Sequence, residues 1–174
     1  NVWIGSEGRA KTNECVLSRP DIATIVLHGP RRGLETRVVL IREFRTPATS
    51  DDGFVHEVAG GSSWKPVADP AVLAAHEVEE ETGIVVDPAR VRVLGSRQLL
   101  ATLSAHKAHA FAVELTDDEV DRAAADGDVH GVEEDTERTY VEVVRLGDVM
   151  PGGTFAGKID WSMTGMILAA CYQN

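Results

Sequence analysis

Three glutamates, Glu77, Glu80 and Glu81, stand at i, i+3 and i+4 in the run His76-Glu77-Val78-Glu79-Glu80-Glu81-Thr82-Gly83-Ile84. On an α-helix that spacing sets them on one face, where their oxygens can converge on a hard divalent cation such as Mg²⁺ or Mn²⁺. Without a cation the same convergence is repulsive. The alternative is an ordinary solvated acidic face, the usual meaning of a charge run. Two features count against it. The acids fall in the last turns, where the helix dipole disfavours negative charge, and no Lys or Arg stands four residues away from them.

The helix that must carry these residues is marked at both ends. Asp69 suits the N-cap, Pro70 the first turn, and Gly83 the left-handed position past the C-terminus, which predicts a helix over residues 70–82. Ala71, Ala74, Ala75, Val78 and Thr82 form a small apolar stripe beside the acidic face. One side packs, and the other is free to bind.

The segment resembles the Nudix box, which reads Gly, five residues, Glu, seven residues, then Arg-Glu-apolar-X-Glu-Glu-X-Gly-apolar. Glu77, Val78, Glu80, Glu81, Gly83 and Ile84 match in register. The first half departs from the pattern. His76 replaces the family arginine, Ala68 falls where the first glutamate belongs, and Gly60 lies two residues too far upstream. Either the loop from Gly61 to Val67 carries an insertion or the box has drifted.

Flanking residues narrow the resemblance. Leu40-Ile41-Arg42-Glu43-Phe44-Arg45, followed by Val55-His56-Glu57-Val58-Ala59-Gly60, is similar to the "apolar-Arg-Gln-aromatic-Arg … Glu-apolar-Pro-Ala-Gly" run of the ADP-ribose pyrophosphatase and nucleotide-sugar hydrolase branch. The likeness covers roughly residues 15–170. It implies an α/β (α+β) fold, an α/β/α sandwich around a mixed β-sheet, in a single domain. It implies metal ligation by the Ala59 carbonyl, Glu77 and Glu81, with Glu80 binding directly or through water. Arg45 would reach the substrate's diphosphate, with Arg42 and Glu57 of the same motifs as further substrate-binding residues. A catalytic base is implied on an acidic loop before a late strand. Glu137 is the first choice and Asp135 the second, while a solvated acidic loop is the plain alternative. Glu80 and His76 complete the candidate catalytic set.

Diphosphate hydrolysis makes the same demands of any protein. Charge on the bridging and non-bridging oxygens must be neutralised, and a water in line with the leaving group must lose a proton to a nearby base. A divalent cation also lets an acidic protein accept an anionic substrate. That matters here, since the formal net charge is −11.

Composition bounds the remainder. With 174 residues, 43% of them hydrophobic, the chain reads as one domain over residues 1–174 with enough length to bury a core. The acidic balance and the lack of a basic stripe argue against extended nucleic-acid binding. No apolar run approaches ~18 residues and no signal pattern is read at the N-terminus, so no membrane association and a cytoplasmic location are expected. The first residue is Asn rather than Met, so the natural start need not be this one. Cys15 and Cys171 read as reduced, buried thiols of a strand and a helix.

Strands are expected over Cys15–Leu17, Ile22–His28, Arg37–Glu43, Phe54–Val58, Val91–Leu100, Ala108–Leu115 and Thr139–Val144. A short helix over Asp117–Ala125 opens at Thr116, and another runs from Ile159 to Tyr172. Strand-rich residues 1–28 match the part through which members of the resembled branch pair, so a homodimer is expected. His106 and His109 read as hydrogen-bonded or solvated, since a spacing of three puts them on opposite faces of a strand. Arg31 and Arg32 read as a solvated turn. Trp64 could stack on a base or simply lie exposed.

The leading functional expectation is metal-dependent hydrolysis of a nucleoside diphosphate linked to a second moiety, with Mg²⁺ or Mn²⁺ as cofactor. A catalytically weakened nucleotide- or protein-binding module and a hydrolase of a specialised phosphorylated metabolite are the alternatives. His76 offers an experimental handle. If it must be cationic, activity falls between about pH 6 and about pH 8, and His76→Arg flattens that profile. An unchanged profile in the variant excludes the role.

Overall fold

The computed structural model describes residues 1–62, 69–132 and 137–172. Asp135, Trp64 and Ala68, each singled out from the sequence, lie outside those residues. Among the described residues the chain forms a mixed sheet with helices on both faces, as the sequence predicts.

The sheet is built around two long, buried, β-branched strands, β3 (Ile22–His28) and β4 (Arg37–Phe44). β3 pairs in parallel along its whole length with β8 (Lys107–Glu114), which pairs antiparallel with β7 (Arg92–Gln98). β4 pairs antiparallel along most of its length with β9 (Thr139–Arg145). Between β3 and β4 themselves the register holds only at Leu27↔Val39 and His28↔Val38. Beyond those pairs the two strands diverge. The gap is filled by β5 (Phe54–Glu57), laid on the end of β4, and β6 (Ala59–Ser62), laid on the start of β3.

Each face of the sheet has its own core, because strand residues alternate between faces. Ala23, Ile25, Leu27 and Val39 pack under α1 (Pro70–Thr82) and α2 (Asp117–Ala124). Val26, Val38, Leu40 and Val144 pack under α3 (Leu146–Val149) and α4 (Trp161–Tyr172).

The expected helix boundaries are met for α1. Asp69 accepts from the Ala71 N–H, Pro70 begins the helix, and Gly83 adopts φ 67° with its N–H on the Glu79 carbonyl. α2 is opened by a reciprocal capping box between Thr116 and Glu119. α4 begins at Trp161 rather than Ile159, because the Asp160 carboxylate accepts from the Met163 N–H and so takes the N-cap.

Three readings are corrected. Cys15–Leu17 is not a strand: Leu17 makes a single bridge to Ser104, and Val16 and Leu17 are exposed. Cys15 is accordingly exposed, whereas Cys171 is buried as expected. The expected loop after Gly60 begins with strand residues, since β6 runs through Ser62, and the two glycines hid its pattern. The N-terminus forms a separate hairpin of β1 (Val2–Ile4) and β2 (Arg9–Lys11). No helix among the described residues is long and apolar enough to cross a membrane.

β6 depends on Gly60. A Cβ there would lie 2.5 Å from the Ala23 carbonyl oxygen and 2.6 Å from the Thr24 Cβ, against the backbone of its own neighbouring strand. Gly60→Ala is therefore expected to destabilise the protein by about 1–3 kcal/mol or more, lowering Tm by at least ~3 °C. Gly5→Ala, where a Cβ meets nothing within 4 Å, is the control and should melt like wild type.

Candidate active site

Where β3 and β4 part, four carboxylates from three elements come within electrostatic range of one another. Glu43 comes from β4, Glu77 and Glu81 from α1, and Glu137 from the segment entering β9. Glu81 is the deepest, 2% exposed, on the buried flank of α1 beside Val78 and Thr82. Its Oε2 accepts the Gly60 N–H at 2.8 Å. Burial pushes its pKa up to about 9 even against that hydrogen bond, and Glu137, Glu77 and Glu43 push the same way.

Glu77 rests against the next residue of β6. A Cβ on Gly61 would lie 2.5 Å from the Glu77 Cδ and from both its carboxylate oxygens, so the glycine makes room for the acid. Burial raises the Glu77 pKa to about 7, with Glu80 and Glu137 adding repulsion. The Ala59 carbonyl accepts from the Thr24 hydroxyl at 2.7 Å. Because the Ala59–Gly60 peptide is trans and its N–H points to Glu81, this carbonyl points the other way, toward β3 and away from the acids, contrary to the expected metal ligation.

Glu137 is held in place by the end of α1. A helix leaves its last carbonyls without intrahelical partners. Here the Glu80 carbonyl accepts the Gly131 N–H at 3.0 Å and the Glu81 carbonyl accepts the Thr139 hydroxyl at 2.8 Å. His130 and Thr139 exchange backbone hydrogen bonds, and Gly131, at φ 101°, passes so close to the Glu137 carbonyl that a Cβ would sit 2.7 Å from its oxygen. Residues 130–132 and 137–139 are thereby clamped over the acidic face.

The remaining candidates divide. Arg45 Nε and Nη2 donate to Glu57 Oε2 at 3.1 and 2.9 Å, and Nη2 lies 2.8 Å from Glu43 Oε2. Strand alternation turns Arg42 to the other face, where its guanidinium covers the Phe54 ring at 3.8 Å and pairs with Asp52. The structure thus brings Arg45 and Glu57 to the acids and takes Arg42 away. His76 is exposed, and its Nδ1 lies 3.2 Å from Glu80 Oε2, one turn along, so it braces Glu80 rather than Glu77. His106 and His109 have separate partners, Ser104 and Asp21. Arg32 is bound by Asp117 through both Nη atoms, and Arg31 lies near Glu114.

Glu43 is the residue that sequence reasoning passed over. It is 7% exposed, and its Oε2 has charge from Arg45 nearby but no aligned hydrogen bond. Burial raises its pKa to about 7, Arg45 opposes, and Glu137 and Glu57 raise it further. The available signal was its place, an acid where the resembled motif has glutamine.

Two cavities open beside the acids and share Arg45. One, of about 580 Å³, is lined by Glu43, Glu137, Arg138, Phe44, Phe54 and Tyr140 besides Arg45. The other, of about 620 Å³, reaches from Arg45 and Glu57 past Gly60 and Gly61 to Trp161.

The donor set suits a hard cation. It consists of carboxylates, and the desolvated acids gain from any positive charge set among them. Among the described residues, however, no three His, Cys, Asp or Glu side chains stand close enough to share one ion without turning. Comparison of the chain with protein-family models and with curated proteins found no match.

The electrostatics set a stability profile. Folded Glu81 keeps its proton up to about pH 9, whereas an ordinary glutamate loses it near 4.5. Between those values folding takes up a proton, so metal-free protein loses stability as pH rises. Thermal melts in EDTA should fall from about pH 5.5 to about pH 8.5 by at least ~1 kcal/mol through this group. Glu81→Gln should melt higher at the alkaline end and show a flatter dependence; the same slope in the variant would exclude Glu81 as its source.

Proposed function

We propose that the protein is a metal-dependent hydrolase of a nucleoside diphosphate linked to a second moiety, of the ADP-ribose or nucleotide-sugar type. The observation that carries the reading is the gathering of Glu43, Glu77, Glu81 and Glu137 at one place, buried deeply enough that two of them titrate near neutrality and one well above it. No packing argument accounts for that arrangement, since mutually repelling acids weaken the metal-free fold. The resemblance of residues 77–84 to the Nudix box supports the same reading.

Mg²⁺ or Mn²⁺ would be held by Glu77 and Glu81, with Glu80 binding directly or through water; the Ala59 carbonyl would join them only on rotation of the Ala59–Gly60 peptide. A bound cation supplies neutralisation of the diphosphate oxygens and lowers the pKa of an attacking water. Glu137, kept over the acidic face by the α1 carbonyls, would serve as the base that accepts a proton from the attacking water. Arg45, fixed by Glu57 and Glu43, offers its guanidinium to a non-bridging oxygen. Protonation of Glu81 in the metal-free protein means that cation binding releases protons. The products are a nucleoside monophosphate and a phosphorylated second product. Homodimerisation through the β1–β2 hairpin belongs to the same proposal, since the hairpin lies outside the main sheet and exposes Val2 and Trp3.

A catalytically weakened binding module is the second reading. It is favoured by the lack of a preformed three-ligand cluster among the described residues, and by a His76 that braces Glu80 alone.

The test incubates the protein with ADP-ribose, ADP-glucose, UDP-glucose, GDP-mannose and nucleoside triphosphates in Mg²⁺ or Mn²⁺ and separates products by chromatography. Monophosphate release is expected from at least one substrate, abolished by EDTA and by Glu81→Gln. Glu137→Gln should reduce kcat by about 10²–10⁴-fold with little change in KM. Nucleotide binding without turnover by any metal would favour the module.

A further inference from the structure

We infer that the cavity ending at Trp161 receives the planar base of the nucleoside, stacked on the indole of that residue. The inference rests on the hydrolase reading for the position of the diphosphate, and it assigns which of the two cavities takes which half of the substrate.

Trp161 is the first residue of α4, is 81% exposed and borders cavities of about 240, 470 and 620 Å³, of which the last is the one that also reaches Arg45, Gly60 and Gly61. Those two glycines are the residues on which Glu81 and Glu77 rest. A diphosphate placed at the acids and Arg45 therefore adjoins both this cavity and the 580 Å³ cavity, which share Arg45.

The chemistry of the linings separates them. In the smaller cavity the rings are already engaged: Phe44 meets Phe54 edge-on at 5.9 Å, Phe54 meets Tyr140 at 6.4 Å, and Arg42 covers the Phe54 face. Glu43, Glu137, Arg45 and Arg138 supply the rest of that wall, which suits hydroxyls and a second phosphate. The larger cavity has an apolar wall of Ile22, Val55, Leu99, Leu100 and Met163 leading to Trp161, with Arg19, His106 and Asp160 as polar groups at its edges. Among the described residues no ring or cation is stacked on the indole.

Asp160 adds a directional argument. Its carboxylate caps α4 through the Met163 N–H and the Ser162 hydroxyl, each at 2.7 Å, and so sets a negative charge beside Trp161. That charge repels phosphate from this end, while the cationic Arg45 marks the other. A flat, uncharged group such as a nucleobase suits that end, and base–aromatic stacking tolerates any base.

Neutral nucleosides test the pocket without metal and without turnover. Adenosine, guanosine, uridine and ribose are titrated in EDTA, followed by ligand-observed NMR, with wild type, Trp161→Ala and Trp161→Phe. The nucleosides should bind and ribose should not; Trp161→Ala should weaken binding about tenfold, and Trp161→Phe should keep it within about threefold. Because Trp161 is exposed, its removal leaves the core intact. Equal binding by wild type and Trp161→Ala, or nucleosides binding no better than ribose, overturns the assignment. So does loss of a dimer in Trp161→Ala with nucleoside binding unchanged, which would make the indole a contact between copies. Trp161-dependent nucleoside binding in a protein that hydrolyses nothing in the panel would uphold the base pocket while the hydrolase reading falls.

Discussion

Burying the Glu81 carboxylate is the constraint around which this site is organised. A carboxylate taken out of water must be hydrogen-bonded, paired with positive charge, or protonated. Glu81 has one backbone donor, Gly60, and three acidic neighbours, so the metal-free protein satisfies it by holding a proton. Positive charge placed beside Glu81 would relieve the same repulsion from Glu137, Glu77 and Glu43 that now favours the proton. Stability is thus given up locally in a molecule whose two cores lie on either side of the sheet.

The sheet makes that burial possible by splitting. Were β3 and β4 paired along their full length, no backbone donor would face the end of α1. Because they hold only two register pairs, β6 enters between them and delivers the Gly60 N–H and the bare surface of Gly61 to the acidic face of the helix. The carbonyls at the end of α1 then hold the segment carrying Glu137. One helix terminus therefore supplies two of the acids and places a third.

Strand alternation decides the partners of the two arginines in the β4 motif. Glu43 and Arg45 follow the face that carries α1, whereas Arg42 points to the α4 side and is spent on Phe54 and Asp52. The cation near the acids is itself restrained by Glu57 and Glu43. An overall charge of −11 thus coexists with a fixed guanidinium at the junction of two cavities.

Much of this was legible in the chain. The α1 helix, its caps and its acidic face followed from Asp69, Pro70, Gly83 and the spacing of Glu77, Glu80 and Glu81, because helix periodicity and terminal hydrogen bonding are local. Long apolar runs likewise marked β3, β4 and β8. What only the tertiary structure decided was non-local. Cys15–Leu17 had strand-like residues but no neighbouring strand, and Gly60–Ser62 lacked strand-like residues but had one. The burial of Glu43, the exclusion of Arg42 and the attachment of His76 to Glu80 depend on which face a strand or helix turns inward. Trp161 gave no signal in sequence, since an exposed indole at a helix start acquires meaning only from the cavity beside it. Local hydrogen bonding wrote the acidic helix into the sequence; desolvation and charge proximity, which exist only once distant strands meet, made it a candidate site.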